Sequence, residues 1–454
     1  MDTKKLRQKI LDLAIRGKLV PQYPNDEPAS VLLERIKDEK ERLIQGGKIK
    51  RPKKSTADTS HYQNWPYEIP KGWKLATIED VTPFLQYGTS EKSKRKGLMA
   101  VLRMGNITRK GTIDFSDLVF TSNKTDIEKL RLKPGDLLFN RTNSSEWVGK
   151  TAIYRGEIPA IFAGYIIRMT PLLLDTEYVN LVMNSQYERD WCNFVKTDGV
   201  NQSNINSQKL AQFILPIPPL AEQKRIVNAT KHWLSLVESI EQNKLDIQEH
   251  LHLAKQKVLQ KAIEGELVPQ NPDEESAIEL LKRINPNIKI PCDNPHYQKL
   301  PVGWSMCRLE DIVDYEQPQA YIVESTDYSD DYDIPVLTAG KTFIIGYTNE
   351  ETGICDNLPV IIFDDFTTDS KYVEFPFKVK SSAMKILRVR RGIDIKYVAA
   401  FMAITRLIGK THKRYWISEY SKIEIPIPPQ KEQERIIMAI DQITARLNSI
   451  TTML

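Results

Sequence analysis

The chain has 454 residues, 41% of them hydrophobic and 27% charged, which is enough for two or three domains. No apolar run approaches the roughly 20 residues needed to span a bilayer, and the opening MDTKKLRQKI lacks the apolar core of a signal peptide, so a cytoplasmic location and no membrane partner are expected. Cys192, Cys292, Cys307 and Cys355 form no CxxC pair, which argues against a metal site or disulfide framework, and the net charge of +5 is too small to identify a polyanion binder without looking at how it is distributed.

In chain order, the first predicted element is a helix that stops at Gly17, with Pro21 soon after. Its end reads AIRGKLVPQ (14–22), and the phrase returns as AIEGELVPQ (262–270), 248 positions later. Gln8–Gln22 aligns with Gln256–Gln270 at ten identities in fifteen, and the match runs on through PNDEPASVLLERI (24–36) and PDEESAIELLKRI (272–284). A second match pairs HYQNWPYEIPKGW (61–73) with HYQKLPVGW (296–304), followed by IEDV and LEDIV.

Residues 62–218 come next, with strand-like runs at LMAVLRM (98–104), GDLLFNR (135–141) and AIFAGYIIRMT (160–170), then a helix over 177–194. Within this segment, residues 88–155 hold fourteen Lys or Arg against seven Asp or Glu. Cations mixed with Asn, Ser and Thr suit phosphate and base-edge contacts. The candidates are Lys92, Lys94, Arg95, Arg103, Asn106, Arg141, Asn143 and Lys150. Arg141 has two readings, a bidentate guanine contact or a structural arginine. In GVNQSNINSQKL (199–210), Asn201, Gln202 and Asn204 either reach DNA or cap a helix; Gln202 is carried as a DNA candidate.

LPIPPLAEQKRIV (215–227) opens a long central helix and returns as IPIPPQKEQERII (425–437). From Ile226 the apolar steps alternate four and three through Thr230, Trp233, Val237, Ile240, Lys244, Ile247 and Leu251 to Val258, which is a heptad seam with two weak positions. A second variable segment, 297–428, follows, with runs at IPVLTAG (334–340), TFIIGYT (342–348) and LPVIIFDD (358–365) and a helix over 395–408. Here residues 315–370 carry twelve acids and one lysine, and 371–415 carry twelve cations and two acids. Lys341, Lys371, Arg414 and Trp416 are the DNA candidates. Trp416 either stacks on a base or packs inside. AGKTF resembles a phosphate loop, but Pro335 stands where its first glycine should be, so nucleotide binding there is rejected. The final helix carries Ile436, Ile440, Ile443, Leu447 and Ile450 at heptad spacing.

The chain ends at a position equivalent to Lys244 and begins at one equivalent to Glu249. The terminal helices therefore read as one central helix cut in two, and the chain as two copies of one unit, circularly permuted. No methyltransferase motif is complete: Asn294-Pro295-His296-Tyr297 lacks a second proline and has no glycine-rich partner loop. No nuclease or hydrolase constellation stands out, so no catalytic or metal-binding residue is expected.

The paired PIPPLAEQKRIV and PIPPQKEQERII blocks, the AIRGKLVPQ and AIEGELVPQ blocks and the two variable domains between them resemble the specificity subunit of a type I restriction–modification enzyme. The resemblance covers nearly the whole chain. It implies an α+β fold with two target-recognition domains of similar fold, separated by two long antiparallel helices forming a coiled coil. The corresponding layout is a helical segment at 1–50, a linker at 51–61, recognition domains at 62–218 and 297–428, a shared central region at 219–284, a linker at 285–296, and a last helix at 429–454 pairing end to end with 1–17. It further implies a non-catalytic reader of an asymmetric bipartite double-stranded DNA target. Two methylation subunits and two motor–nuclease subunits would dock on the helices, at Trp233, Ile240, Ile247, Leu251, Ile443 and Leu447. This chain would need no cofactor; S-adenosylmethionine, ATP and Mg would sit on those partners. The alternatives are a coiled-coil scaffold that reads no sequence, or a self-sufficient methyltransferase.

Overall fold

A computed structural model describes residues 2–49, 65–200, 202–288, 290, 300–340, 342–407 and 414–453. The chain divides into two compact units, Met1–Asn243 and Lys244–Leu454.

In the first unit, α1 (Thr3–Ile15) and α2 (Ala29–Gln45) lead to strand β1 (Lys74–Thr77) and the short helix α3 (Ile78–Val81). Strands β2 (Leu85–Tyr87), β3 (Met99–Leu102) and β4 (Val119–Thr121) precede helix α4 (Lys124–Leu130). Then come β5 (Leu137–Asn140), β6 (Thr142–Asn143), β7 (Thr151–Ile153), β8 (Ala160–Phe162) and β9 (Ile166–Met169). Helices α5 (Thr176–Val182) and α6 (Gln186–Val195), the hairpin β10 (Thr197–Asp198) and β11 (Ser203–Asn204), helix α7 (Ser207–Ala211) and strand β12 (Ile214–Ile217) follow, and α8 (Leu220–Ile263) begins. The sheet β2-β9-β5-β7 is the centre. Side chains alternate across it, as the strand period requires. Leu137 and Phe139 join the core under α5 and α6, while Leu138 joins a second core against the sheet β4-β3-β8.

The second unit takes the rest of α8, then α9 (Ala277–Ile284), β13 (Ser305–Arg308), α10 (Leu309–Ile312), β14 (Val313–Glu316), β15 (Ile334–Leu337), β16 (Ile344–Thr348), β17 (Val360–Asp364), β18 (Ser370–Val373), β19 (Lys378–Val379), β20 (Met384–Val389), α11 (Ile395–Ile404), β21 (Glu424–Ile427) and α12 (Gln430–Met453). Its sheets β14-β20-β17-β18, β16-β15-β19 and β13-β21 repeat those of the first unit, including the parallel pairing of β3 with β8 and of β15 with β19. The small sheet β10-β11-β6 belongs to the first unit; the counterpart stretch of the second includes 408–413, outside the described residues.

The repeated sequence blocks are one structural lock built twice. In the first unit Gln223 is fully buried; its amide donates to the Pro218 carbonyl at 2.9 Å and its oxygen accepts from the Asp175 N–H at 2.9 Å. The Tyr178 hydroxyl donates to the Pro216 carbonyl at 2.9 Å, and Arg225 pairs with Asp26. In the second unit Gln433 reaches Pro428 and Asp394 at 3.0 and 2.7 Å, Tyr397 reaches Pro426 at 2.7 Å, and Arg435 pairs with Glu274. Gly17 and Gly265 both adopt left-handed φ, +65° and +73°, where glycine closes a helix without strain. A Cβ on Gly17 would stand 2.7 Å from Pro70, so the site excludes a side chain as well.

Inside each unit two helices run antiparallel. Arg7 on α1 donates to Glu238 on α8 at 3.4 Å, while the chain beyond α1 meets the start of α8 at Asp26–Arg225. Lys255 on α8 donates to Asn448 on α12 at 2.6 Å, while Gln270 meets Glu432 at 3.2 Å. The repeat offsets map Arg7–Glu238 onto Lys255–Asn448 and Asp26–Arg225 onto Glu274–Arg435. The predicted seam needs two corrections. Ile226, Thr230, Val237 and Leu251 are buried, but Trp233 is 49% and Ile247 39% exposed, while Leu234 beside the indole is half-buried. Met1 and Leu454, whose meeting the circular permutation predicts, lie outside the described residues.

Candidate nucleic-acid interface

Strand β5 of the first unit ends at Asn140, and Arg141 steps off it. Its N–H donates to the Tyr165 carbonyl and its carbonyl accepts from the Ile205 N–H, both at 2.9 Å. Strand β17 of the second unit ends the same way. The Asp365 N–H donates to the Ala383 carbonyl and its carbonyl accepts from the Tyr415 N–H, again at 2.9 Å. One backbone bracket therefore holds an arginine in one unit and an aspartate in the other.

The two side chains lead different lives. Arg141 is half-buried, with its guanidinium 4.9 Å from the Tyr87 ring centre and Nη2 donating to Asn204 Oδ1 at 3.2 Å. It lines a cleft of about 680 Å³ together with Thr89, Lys92, Arg103, Thr142 and Tyr165. Asp365 is 2% exposed; it faces Lys385, 1% exposed, at 3.4 Å and accepts from the Trp416 N–H at 2.7 Å.

The cations around the cleft divide by burial. Lys92, Lys94 and Arg95 are exposed on the loop before β3, which is tied down by backbone pairing of Lys94 with Phe120 at 2.7 and 2.8 Å. Arg103 lines the cleft but pairs with Asp117 at 2.7 Å. Asn143 sits on β6 opposite Ser203, its oxygen accepting from the Ser144 N–H, and Gln202 is exposed at the β10–β11 turn. Asn204, one of the amides read as a helix cap, instead holds Arg141; Asn206 is the cap of α7. Trp147, which sequence reasoning passed over, is 42% exposed and has Arg109 and Lys150 over its ring at 5.1 and 5.2 Å. Burial, and then the neighbouring cations, push the Arg109 and Lys150 pKa values down.

Three sequence candidates are internal. Asn106 is 3% exposed; its amide donates to the carbonyls of Asp114 and Asp117, and its oxygen accepts from the Arg103 N–H. Lys150 is 8% exposed, with Nζ donating to the Met104 and Ile107 carbonyls at 3.0 and 2.6 Å. Trp416 is 1% exposed, packed against Phe363, Tyr420 and Tyr315. None of the three presents its polar group or ring face to a ligand as the chain stands. Lys371 and Arg414 are exposed, and Lys341 lies outside the described residues.

The basic stretch 371–415 also needs correction as a free cationic strip. Lys378, Lys385, Arg388 and Arg406 face Glu350, Asp365, Glu316 and Asp369, all from the acidic stretch 315–370. Much of the charge segregated in sequence is recombined across strands of one domain.

On the helices, Trp233, Leu236, Leu245, Ile247 and Leu253 are large apolar residues at least 39% exposed on α8. Ile240, Ile443 and Leu447 are half-buried, and Leu251 is buried at 9% exposure. Among the described residues no group of three His, Cys, Asp or Glu could hold a metal ion, and no helix is long and apolar enough to cross a membrane.

The model of the type I restriction modification DNA specificity domain matches residues 70–249 and 301–453, once in each unit. The specificity subunit of the type I restriction enzyme EcoR124I/EcoR124II of Escherichia coli is 45% identical over 172 residues, 35% of this chain and 41% of that subunit. The EcoAI specificity subunit, also from Escherichia coli, is 26% identical over 98% of this chain and 90% of its own length. A chain from a solved structure of a type I R-M system, described for its complex assembly and conformational transition, shares the fold at a TM-score of 0.52 and 13% identity, over 85% of this chain and 94% of that one.

Proposed function

Because this chain belongs to the type I restriction modification DNA specificity family, we propose that it reads an asymmetric, two-part DNA target and directs partner subunits to it. The observation that carries this reading is the bracket that presents Arg141 in one unit and Asp365 in the other. A frame built twice supplies two readers; different side chains and loops on that frame make the two half-targets different, unlike the paired half-sites of a homodimer. The exposed cations of 88–97 supply attraction to phosphate without selecting sequence.

In this role the chain docks two methylation subunits and two motor–nuclease subunits. The exposed apolar residues of α8, Trp233 and Ile247 among them, are the surface offered. S-adenosylmethionine, ATP and Mg belong to those partners, and the complex works in the cytoplasm on adenine-N6 methylation or ATP-driven cleavage. The test is to produce this chain with a methylation subunit and map methylated adenines by sequencing. The expected result is one bipartite, non-palindromic motif. Exchanging residues 62–218 for those of a relative should change one half of it and leave the other half intact. Methylation scattered without a motif would overturn the reading.

A further inference from the structure

Three arginines around the first unit's central sheet are neutralised. Arg103 faces Asp117, Arg155 faces Glu177, and Arg168 faces Asp136, all within 3.4 Å. Arg141 is held in another way. Tyr87 stacks on it, and that ring is fixed by its own hydroxyl, which donates to Ser207 Oγ at 2.9 Å and accepts from the Ser207 N–H at 2.9 Å. Asn204 accepts from Nη2, and its own amide donates to Thr142 Oγ1 at 2.8 Å. These partners are neutral, so the guanidinium is fixed in place with its charge intact. Its Nε is buried without an acceptor, and among the described residues it makes no ion pair; Glu91, which lines the same cleft, accepts instead from the Asn123 amide. Arg141 lines the cleft, and among the described residues its Nη1 has no hydrogen-bond partner.

We infer that Arg141 is a specificity-determining residue that recognises the major-groove edge of one guanine. The inference rests on the DNA-reading function proposed above and deepens it. The Nη1 hydrogens and the second hydrogen of Nη2 form a planar fork that matches the O6 and N7 acceptors of guanine, and no other base presents two acceptors there. Rigid mounting matters because an arginine already held by stacking loses less freedom on binding than a free one. The exposed lysines 92, 94 and 96 offer no such geometry; they are suited to phosphates. The second unit supplies an internal control. In its copy of the bracket Asp365 is consumed by Lys385 and the Trp416 N–H, so that position has no donor to present.

The experiment uses the complex of this chain with its methylation subunit on duplexes randomised within the target, comparing wild type with Arg141→Gln and Arg141→Lys. The expected result is that one guanine, in one half of the motif, ceases to be required. Discrimination at that position falls about 5- to 150-fold, while every other position and the salt dependence of binding stay as in wild type. The other half of the motif, read by the second unit, reports that each variant is folded and assembled. Equal weakening on all sequences with a shallower salt slope would identify a phosphate contact and overturn the assignment, as would an unchanged motif. A wild-type complex that yields no motif at all would overturn the underlying DNA-reading function instead.

Discussion

The slot at the end of β5 and the slot at the end of β17 share their backbone and nothing else. In the first unit the slot holds a half-buried side chain that lines a cleft and is restrained by neutral neighbours. In the second it holds one half of a buried ion pair on which Lys385 and the chain at Trp416 both depend. The difference teaches that a frame fixed by main-chain hydrogen bonds leaves the side chain free for either task. Being in the equivalent place does not make two residues equivalent in function.

The sharpest way to break this comparison is to empty both slots. Asp365→Ala strands a buried lysine and should cost the second unit about 3–5 kcal/mol in chemical denaturation; Arg141→Ala should cost the first unit less than about 1 kcal/mol. Replacing the pair together, Asp365→Leu with Lys385→Met, should recover most of the loss. Comparable losses at both slots would mean that Arg141 is as structural as Asp365.

A smaller effect sets Glu188 on α6 apart. It is 4% exposed, and its carboxylate accepts from the Cys192 thiol at 2.8 Å. Burial pushes the carboxyl up to about 8, against a weaker pull from Cys192, Arg109 and Arg189. The folded chain keeps this proton between the ordinary value of 4.5 and about 8 while the unfolded chain releases it, so stability falls as pH rises through that window. Glu188→Gln should flatten the fall and raise the melting temperature by about 2–4 °C at pH 8. A pH profile parallel to wild type would remove Glu188 from the account.

Smaller still, Lys94→Ala or Arg95→Ala should weaken DNA binding on every sequence and lower the salt slope by about 1 each, whereas Arg388→Ala, already paired with Glu316, should barely move it. A slope change as large at Arg388 would mean that the recombined charges of the second unit still reach DNA.

The duplication was legible because its blocks serve the lock, where Gln223, Tyr178 and Arg225 must recur as Gln433, Tyr397 and Arg435. The exposed loop at 88–97 was legible as a cluster of cations, since like charges side by side avoid burial. Asn106, Lys150 and Trp416 misled because their burial is decided by chain far away: Lys150 is satisfied by carbonyls at 104 and 107, Trp416 by Phe363. The Arg141–Asp365 equivalence could not be read because the spacing drifts between copies. Bracket partners lie 224 residues apart at Arg141 and Asp365, 218 at Tyr165 and Ala383, and 210 at Ile205 and Tyr415. Trp233 fell on the predicted seam because a four–three rhythm fixes a stripe only to within a residue, and its neighbour Leu234 is the more buried of the two.

The bracket also bears on how such a molecule changes over generations. Its two hydrogen bonds use an N–H and a carbonyl that every amino acid but proline supplies. At position 141 a single codon can therefore drift and be tried against new genomes one step at a time. At position 365 an altered codon exposes the organism to a misfolded intermediate until codon 385 changes too, so the two halves of one gene should diversify at unequal tempo.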